Sequence, residues 1–189
     1  MSEASEGPLL GLASLQRELA ARHGLPPVET WNPRHCGEID IRIARDGTWF
    51  HEGRRIARRE LVRLFSTILR KDADGFHLVT PAEKLRILVE DAPFIAVLLD
   101  VEGQGQEQTL TFTTNVGDET VAGRENPIRV TRDQAGPAPY VHVRRGLEAR
   151  ISRAVFYQLA DLAVPGTREF AGLLGVWSGG VFFPLGSAA

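Results

Sequence analysis

Leu9, Leu12, Leu15 and Leu19 recur at helical spacing, and Gly24 with Pro26 and Pro27 stops the run, so residues 8–23 are predicted to form an amphipathic helix. The pattern then changes period. Ile39-Asp40-Ile41-Arg42-Ile43 alternates strictly, Asp46-Gly47 is a hairpin turn signal, and residues 48–51 continue as the partner strand. A helix is expected next, with Leu61, Leu64, Phe65, Ile68 and Leu69 as its buried stripe, Arg59, Arg63 and Arg70 largely off it, and residues 72–75 as its terminator.

Residues 76–79 read as a strand. After them two signals conflict: Thr80-Pro81-Ala82-Glu83 has the form of a helical capping box, while Leu85, Ile87 and Val89 alternate with polar neighbours and Pro93 closes the run within a strand's length. The alternation predicts a strand. Short β-rich runs at 94–101, 108–113, 119–122, 127–131 and 140–143, separated by Gly, Asn, Asp and Pro turns, predict an antiparallel meander. A second helix over 148–164, burying Ile151, Val155, Leu159 and Leu162, and two last strands at 176–177 and 181–183 complete the expected elements.

The elements repeat. Residues 41–46 (IRIARD) recur at 128–133 (IRVTRD), and 55–61 (RIARREL) at 150–156 (RISRAVF), in the same order and at equivalent places. The expected fold class is therefore α+β: two related domains from an internal duplication, each a hairpin, a helix and two strands. The predicted boundaries are an N-terminal helix and linker over 1–30, a first α+β domain over 31–92 and a second over 93–189.

At 189 residues, 43% hydrophobic and 24% charged, the chain resembles neither disordered, collagen-like nor disulfide-scaffold sequences, and its single cysteine cannot form an internal bridge. The formal net charge of -2 is too balanced for a general polyanion binder, so nucleic acid is not an expected partner. Acids where a signal peptide needs bases, and no apolar run near 18 residues, lead to the expectation of a cytoplasmic protein without a membrane partner.

The balance conceals two opposed segments. Residues 42–71 hold nine bases against three acids, and 83–125 hold nine acids against three bases. Either the two faces meet each other, or the basic one faces a ligand. The repeat aligns Arg55 and Arg58 with Arg150 and Arg153, all expected at helix starts, where unpaired N–H groups favour phosphate or carboxylate. A cleft at the seam of related domains is a usual place for such a ligand. In the opposite reading, these arginines pair with Asp40, Glu90 or Asp91 across strands.

The segments at 35–43 (HCGEIDIRI), 46–49 (DGTW), 80–84 (TPAEK), 89–94 (VEDAPF), 114–118 (TNVGD) and 175–178 (GVWS) resemble a bacterial domain-of-unknown-function family over residues 31–186. That resemblance implies a duplicated core, a C-terminal half loosely pleckstrin-homology-like, a domain-interface cleft for a nucleotide-like ligand, and a role in signal transduction with a possible protein partner. Asn126 stands where His is expected, which makes that corner a poor place for chemistry.

Catalytic motifs are scarce. His35, Cys36, Asp40 and His51 could ligate zinc, yet there is no Cys-x-x-Cys or His-x-x-x-His, and no metal or cofactor is expected. Cys36 as a nucleophile competes with its reading as a small buried hydrophobe at a strand entrance, and the latter is preferred. Gly103-Gln104-Gly105 reads as a hairpin tip, and Asn115-Val116-Gly117-Asp118 as a turn with Gly117 at positive φ. Trp31, Trp49 and Trp177 are expected in the core.

The resulting candidate ligand set is Arg55, Arg58, Glu90, Asp91, Asn115, Asp118, Arg150 and Arg153 for a small anionic ligand. The alternatives are an enzyme using Cys36 or the Glu90/Asp91 pair, and an interaction module without a ligand.

Overall fold

The structure is a computed structural model that describes residues 24–133 and 136–187, so the helix expected over 8–23 lies outside the described residues. The described chain divides into two compact units, 24–44 with 48–90, and 45–47 with 91–187.

The first unit is built from β1 (His35–Ile43), β2 (Trp49–His51), β3 (Arg54–Arg55), α1 (Arg59–Thr67), β4 (Leu69–Asp72), β5 (Gly75–Val79) and β6 (Glu83–Val89). Its sheet has the order β3-β2-β1-β6-β5-β4, antiparallel except for the parallel β1–β6 pair. The alternation in β1 sends Ile39, Ile41 and Ile43 to the core face, where Trp49 stacks on Phe65 of α1 at 6.2 Å between ring centroids. Each of those two aromatic side chains contributes about 2–3 kcal/mol through burial.

One expectation is corrected here. The helix ends at Thr67, and Leu69 opens the strand β4. The Ser66 and Thr67 hydroxyls turn back onto the Arg63 and Leu64 carbonyls, which competes with further helix, and Leu69 then pairs opposite Leu78. The conflict at residue 80 resolves as expected, to a strand. Thr80 accepts from Glu83 N through its hydroxyl, so the capping-box hydrogen bond forms in a turn with no helix after it.

The second unit contains β7 (Phe94–Glu102), β8 (Thr109–Thr114), β9 (Glu119–Val121), β10 (Ile128–Asp133), β11 (Gly136–Arg144), β12 (Leu147–Ile151), α2 (Arg153–Asp161), β13 (Val164–Pro165), β14 (Leu173–Ser178) and β15 (Val181–Ser187). Six strands form one sheet, β10-β11-β12-β7-β8-β9, antiparallel except where β12 runs parallel to β7, and β13-β14-β15 form a second. Ser178, with no exposed surface, joins them: its hydroxyl donates to the Ala122 carbonyl at 2.7 Å and accepts from Leu110 N at 2.9 Å.

The helix expected over 148–164 is shorter. Leu147, Ala149 and Ile151 are buried and alternate with half-buried Glu148 and Arg150, a period of two that makes this segment a strand. Ser152 then caps α2 by accepting from Val155 N.

Among the described residues the fold is thus mostly β with two α-helices, and its halves are similar. Each contains a three-strand meander (β1-β2-β3; β10-β11-β12), then a helix, then a hairpin (β4-β5; β14-β15). The matched Arg55 and Arg150 both lie on the third meander strand, which corrects their expected place at helix starts.

Candidate functional site

On the first unit, five arginines fall within ten residues. Glu52 and Gly53, both at positive φ, turn the chain from β2 into β3, a two-residue edge strand carrying Arg54 and Arg55. Arg58 precedes α1 in an extended conformation, and Arg59 and Arg63 stand one turn apart on it. All five side chains are exposed. Among the described residues none of the five has an ion-pair or hydrogen-bond partner for its guanidinium.

Elsewhere the register pairs several arginines. Across β10-β11-β12, Arg129 lies opposite Tyr140 and Tyr140 opposite Arg150, so three side chains form one row. Arg129 holds Glu148 through two bonds of 2.5 and 2.7 Å and lies 4.2 Å over the Tyr140 ring. Arg150 reaches Asp91 at 2.5 Å, and the Tyr140 hydroxyl donates to the other Asp91 oxygen at 2.6 Å. Burial, then the Asp91 hydrogen bond and charge, hold the Tyr140 phenol above its ordinary range. The hydrogen bond to Glu148 raises Arg129 further against the cost of burial.

The expected ligand set therefore splits. Arg55 and Arg58 are both exposed; Glu90 pairs with Arg42, which stacks over Phe50. Asp91 is taken up by Arg150 and Tyr140, and Asp118 by Arg144. Asn115 fastens the turn where it sits, accepting from Ile95 N at 3.0 Å, with Gly117 at φ +88 as expected. Arg153, the first residue of α2, is exposed. Adjacent Glu90 and Asp91 do not converge on one point, because each is drawn to a different arginine.

Cys36 is exposed, against the expectation of a buried hydrophobe, since the first four residues of β1 all stand clear of the core. Trp49 is buried as expected, whereas Trp31 and Trp177 are half-buried.

The Arg54, Arg59 and Arg63 contributions were absent from the expected set, although the basic excess over 42–71 pointed to them. A second cluster carried no sequence signal. Asp72, Asp74 and buried His77 gather at the β4–β5 hairpin with Arg70 and Lys84. The Lys84 ammonium sits 2.6 Å from Asp72 and 4.0 Å from Asp74, where a cation would bind, so the charge balance there is already met within the chain. Burial raises the Asp72 carboxyl, but the hydrogen bonds and charges of Lys84 and Arg70 outweigh it and leave the group below its ordinary value. Burial lowers His77, with Lys84 adding to it and Asp74 and Asp72 opposing.

No helix among the described residues is long and apolar enough to cross a membrane. Residues 26–92 match the domain of unknown function (DUF1285), N-terminal domain, and 93–185 match the protein of unknown function (DUF1285), C-terminal domain. A crystal structure of a DUF1285 family protein from Silicibacter pomeroyi DSS-3 is 54% identical, with 92% of this chain and 95% of that one covered and a TM-score of 0.83. Another, from Shewanella baltica OS155, is 26% identical over 65% of this chain and 91% of that one, with a TM-score of 0.52. No curated protein matches the chain.

Proposed function

The chain belongs to the DUF1285 family of proteins of unknown function, and from that premise we propose that it binds a small phosphate-bearing anion, nucleotide-like in charge, through the arginines of β3 and α1. The observation that carries this reading is the contrast within one molecule. Arg42, Arg129, Arg144 and Arg150 each engage a carboxylate, while Arg54, Arg55, Arg58, Arg59 and Arg63 are exposed with no such partner among the described residues. Like charges concentrated within ten residues repel one another where they approach, and a multivalent anion relieves that repulsion while accepting several charge-assisted hydrogen bonds. Arg55 and Arg58 remain the central ligand residues in this reading.

Binding at such a surface changes local charge without chemistry, which suits a protein that reports a ligand to a partner. The second unit, an antiparallel sheet followed by a helix, is read as pleckstrin-homology-like, and the shared order of meander, helix and hairpin as the trace of a duplication.

Thermal melting with inorganic pyrophosphate and with nucleoside mono- and triphosphates tests the proposal. At a hundredfold excess over Kd a specific anion adds about 2.7 kcal/mol of stability, an effect that shrinks with added salt. Arg55→Leu and Arg58→Leu are expected to weaken binding by about 1.5–3 kcal/mol per charged hydrogen bond while the unliganded proteins melt nearly as the wild type does. If no phosphate anion raises the wild-type melting temperature, the protein is an interaction module of another kind. If both variants melt far lower without ligand, the arginines are structural.

A further inference from the structure

The β1–β6 pair contains an irregularity that opens the sheet of the first unit. Glu38 lies opposite Arg86 and Arg42 opposite Leu88, so β1 places three residues, Ile39, Asp40 and Ile41, where β6 places only Ile87. The ladder between the two strands is interrupted there, and a cavity of about 560 Å³ lies along the gap. Glu38, Asp40 and Arg86 line it together with Phe76 and Leu88.

Three features of that cavity point to a ligand. Glu38 and Arg86 are register neighbours of opposite charge, yet they make no ion pair, and Asp40 makes none either among the described residues. All three charged side chains are thus left on the exposed face of the sheet. Gly75, at φ +133, leaves room for the Arg86 guanidinium, whose nitrogens lie 3.8 and 3.9 Å from where a Cβ would stand. A Cβ at 75 would stand in ordinary contact with that side chain, and it is the positive φ that favours glycine there. Finally, Leu88 is 58% exposed in the middle of an otherwise alternating strand, a large apolar surface beside charged groups.

We infer that this cavity is a site for a small ammonium–carboxylate zwitterion of the α-amino acid class. The ligand carboxylate is matched by Arg86, its ammonium by Asp40 and Glu38, and an apolar side chain by Leu88 and Phe76. A carboxylate-only or ammonium-only molecule satisfies half of the site and leaves like charges facing it. This site lies apart from the arginine surface of β3 and α1 and does not depend on it.

The test is calorimetric titration of the full chain with L-leucine, L-phenylalanine and L-lysine, alongside the amine and the carboxylic acid of the same carbon skeletons. At least one amino acid is expected to bind at millimolar concentration or better, with its amine and acid analogues weaker by roughly tenfold or more, the loss of one charge-assisted hydrogen bond. Arg86→Gln and Asp40→Asn are each expected to produce a similar loss, with thermal melting of the unliganded variants close to the wild type. The inference is overturned if no amino acid binds, if the single-charge analogues bind as well, or if both variants bind as the wild type does. It is also overturned if either variant melts far below the wild type, because those charges then hold the sheet together.

Discussion

Arg150 and Arg153 are three residues apart and matched Arg55 and Arg58 equally well in sequence, so their replacement separates a structural guanidinium from an available one. Arg150 donates to Asp91 with side-chain exposures of 19% and 15% for the two partners, and Tyr140 donates to the same carboxylate. Arg150→Leu keeps much of the apolar stem and removes a hydrogen bond between charged groups, worth about 1.5–3 kcal/mol. It also leaves Asp91 partly buried with a neutral hydroxyl donor, a situation that approaches the 3–5 kcal/mol measured when buried pairs lose one member. A loss of about 3 kcal/mol is expected, or roughly 6–12 °C in Tm for a chain of this size. Arg153→Leu, at an exposed position, is expected to change stability by less than about 0.5 kcal/mol. Urea and thermal melts of both variants, with Asp91→Asn and the Arg150→Leu/Asp91→Asn double variant, complete a cycle in which Arg150→Leu costs distinctly less once Asp91 is neutral. Equal losses for Arg150→Leu and Arg153→Leu, or a purely additive cycle, would refute the assignment of Arg150 to structure.

Two further outcomes are expected. His77 is buried with its ring held below the ordinary histidine value, so the unfolded chain takes up a proton first as pH falls and stability should decline from about pH 6.5 downward; denaturant melts at pH 7.5 and 5.5 should show a smaller difference for His77→Gln than for the wild type, and an unchanged difference would rule His77 out as its source. Ser178→Ala leaves the Leu110 N–H and the Ala122 carbonyl without their hydroxyl partner in a fully buried place, which should cost about 2–4 kcal/mol and speed amide exchange at Leu110, whereas a loss under about 0.5 kcal/mol would mean that the two sheets are not coupled there.

Period-two segments were the most legible part of the fold. Ile39 to Ile43 and Leu85 to Val89 alternate because one face of each strand is buried, and no helical period imitates that pattern. The helix ends were illegible for a physical reason. Ile68 and Leu69 continue the apolar spacing of α1, and only the hydroxyls of Ser66 and Thr67, bonding back into the last turn, separate them from the helix. Residues 147–151 failed in the opposite direction: Ile151 and Val155 are four apart and look helical, but Ser152 caps between them. The similar order of elements in the two halves does not depend on where each element begins, so neither error alters it.

Charge was legible as a quantity and not as an availability. The excess of bases over 42–71 includes Arg42, which pairs with Glu90, and Arg70, which holds the Val28 and Trp31 carbonyls and Asp72, as well as the group from Arg54 to Arg63, which has no such partner among the described residues. What separates these sets is the partner that the fold brings within reach. Arg42 and Arg70 lie on strands long enough to bring register neighbours and covering segments within reach, whereas β3 is a two-residue edge whose outer side faces no strand among the described residues. Arg150 illustrates the same rule, because β12 is interior and places it beside Tyr140 in a filled row. Strand order alone does not decide it, since Arg70 on the edge strand β4 and Arg129 on the edge strand β10 are both engaged; availability follows from which carboxylates and carbonyls the pairing and the covering segments bring to each cation, and one sequence does not spell that out.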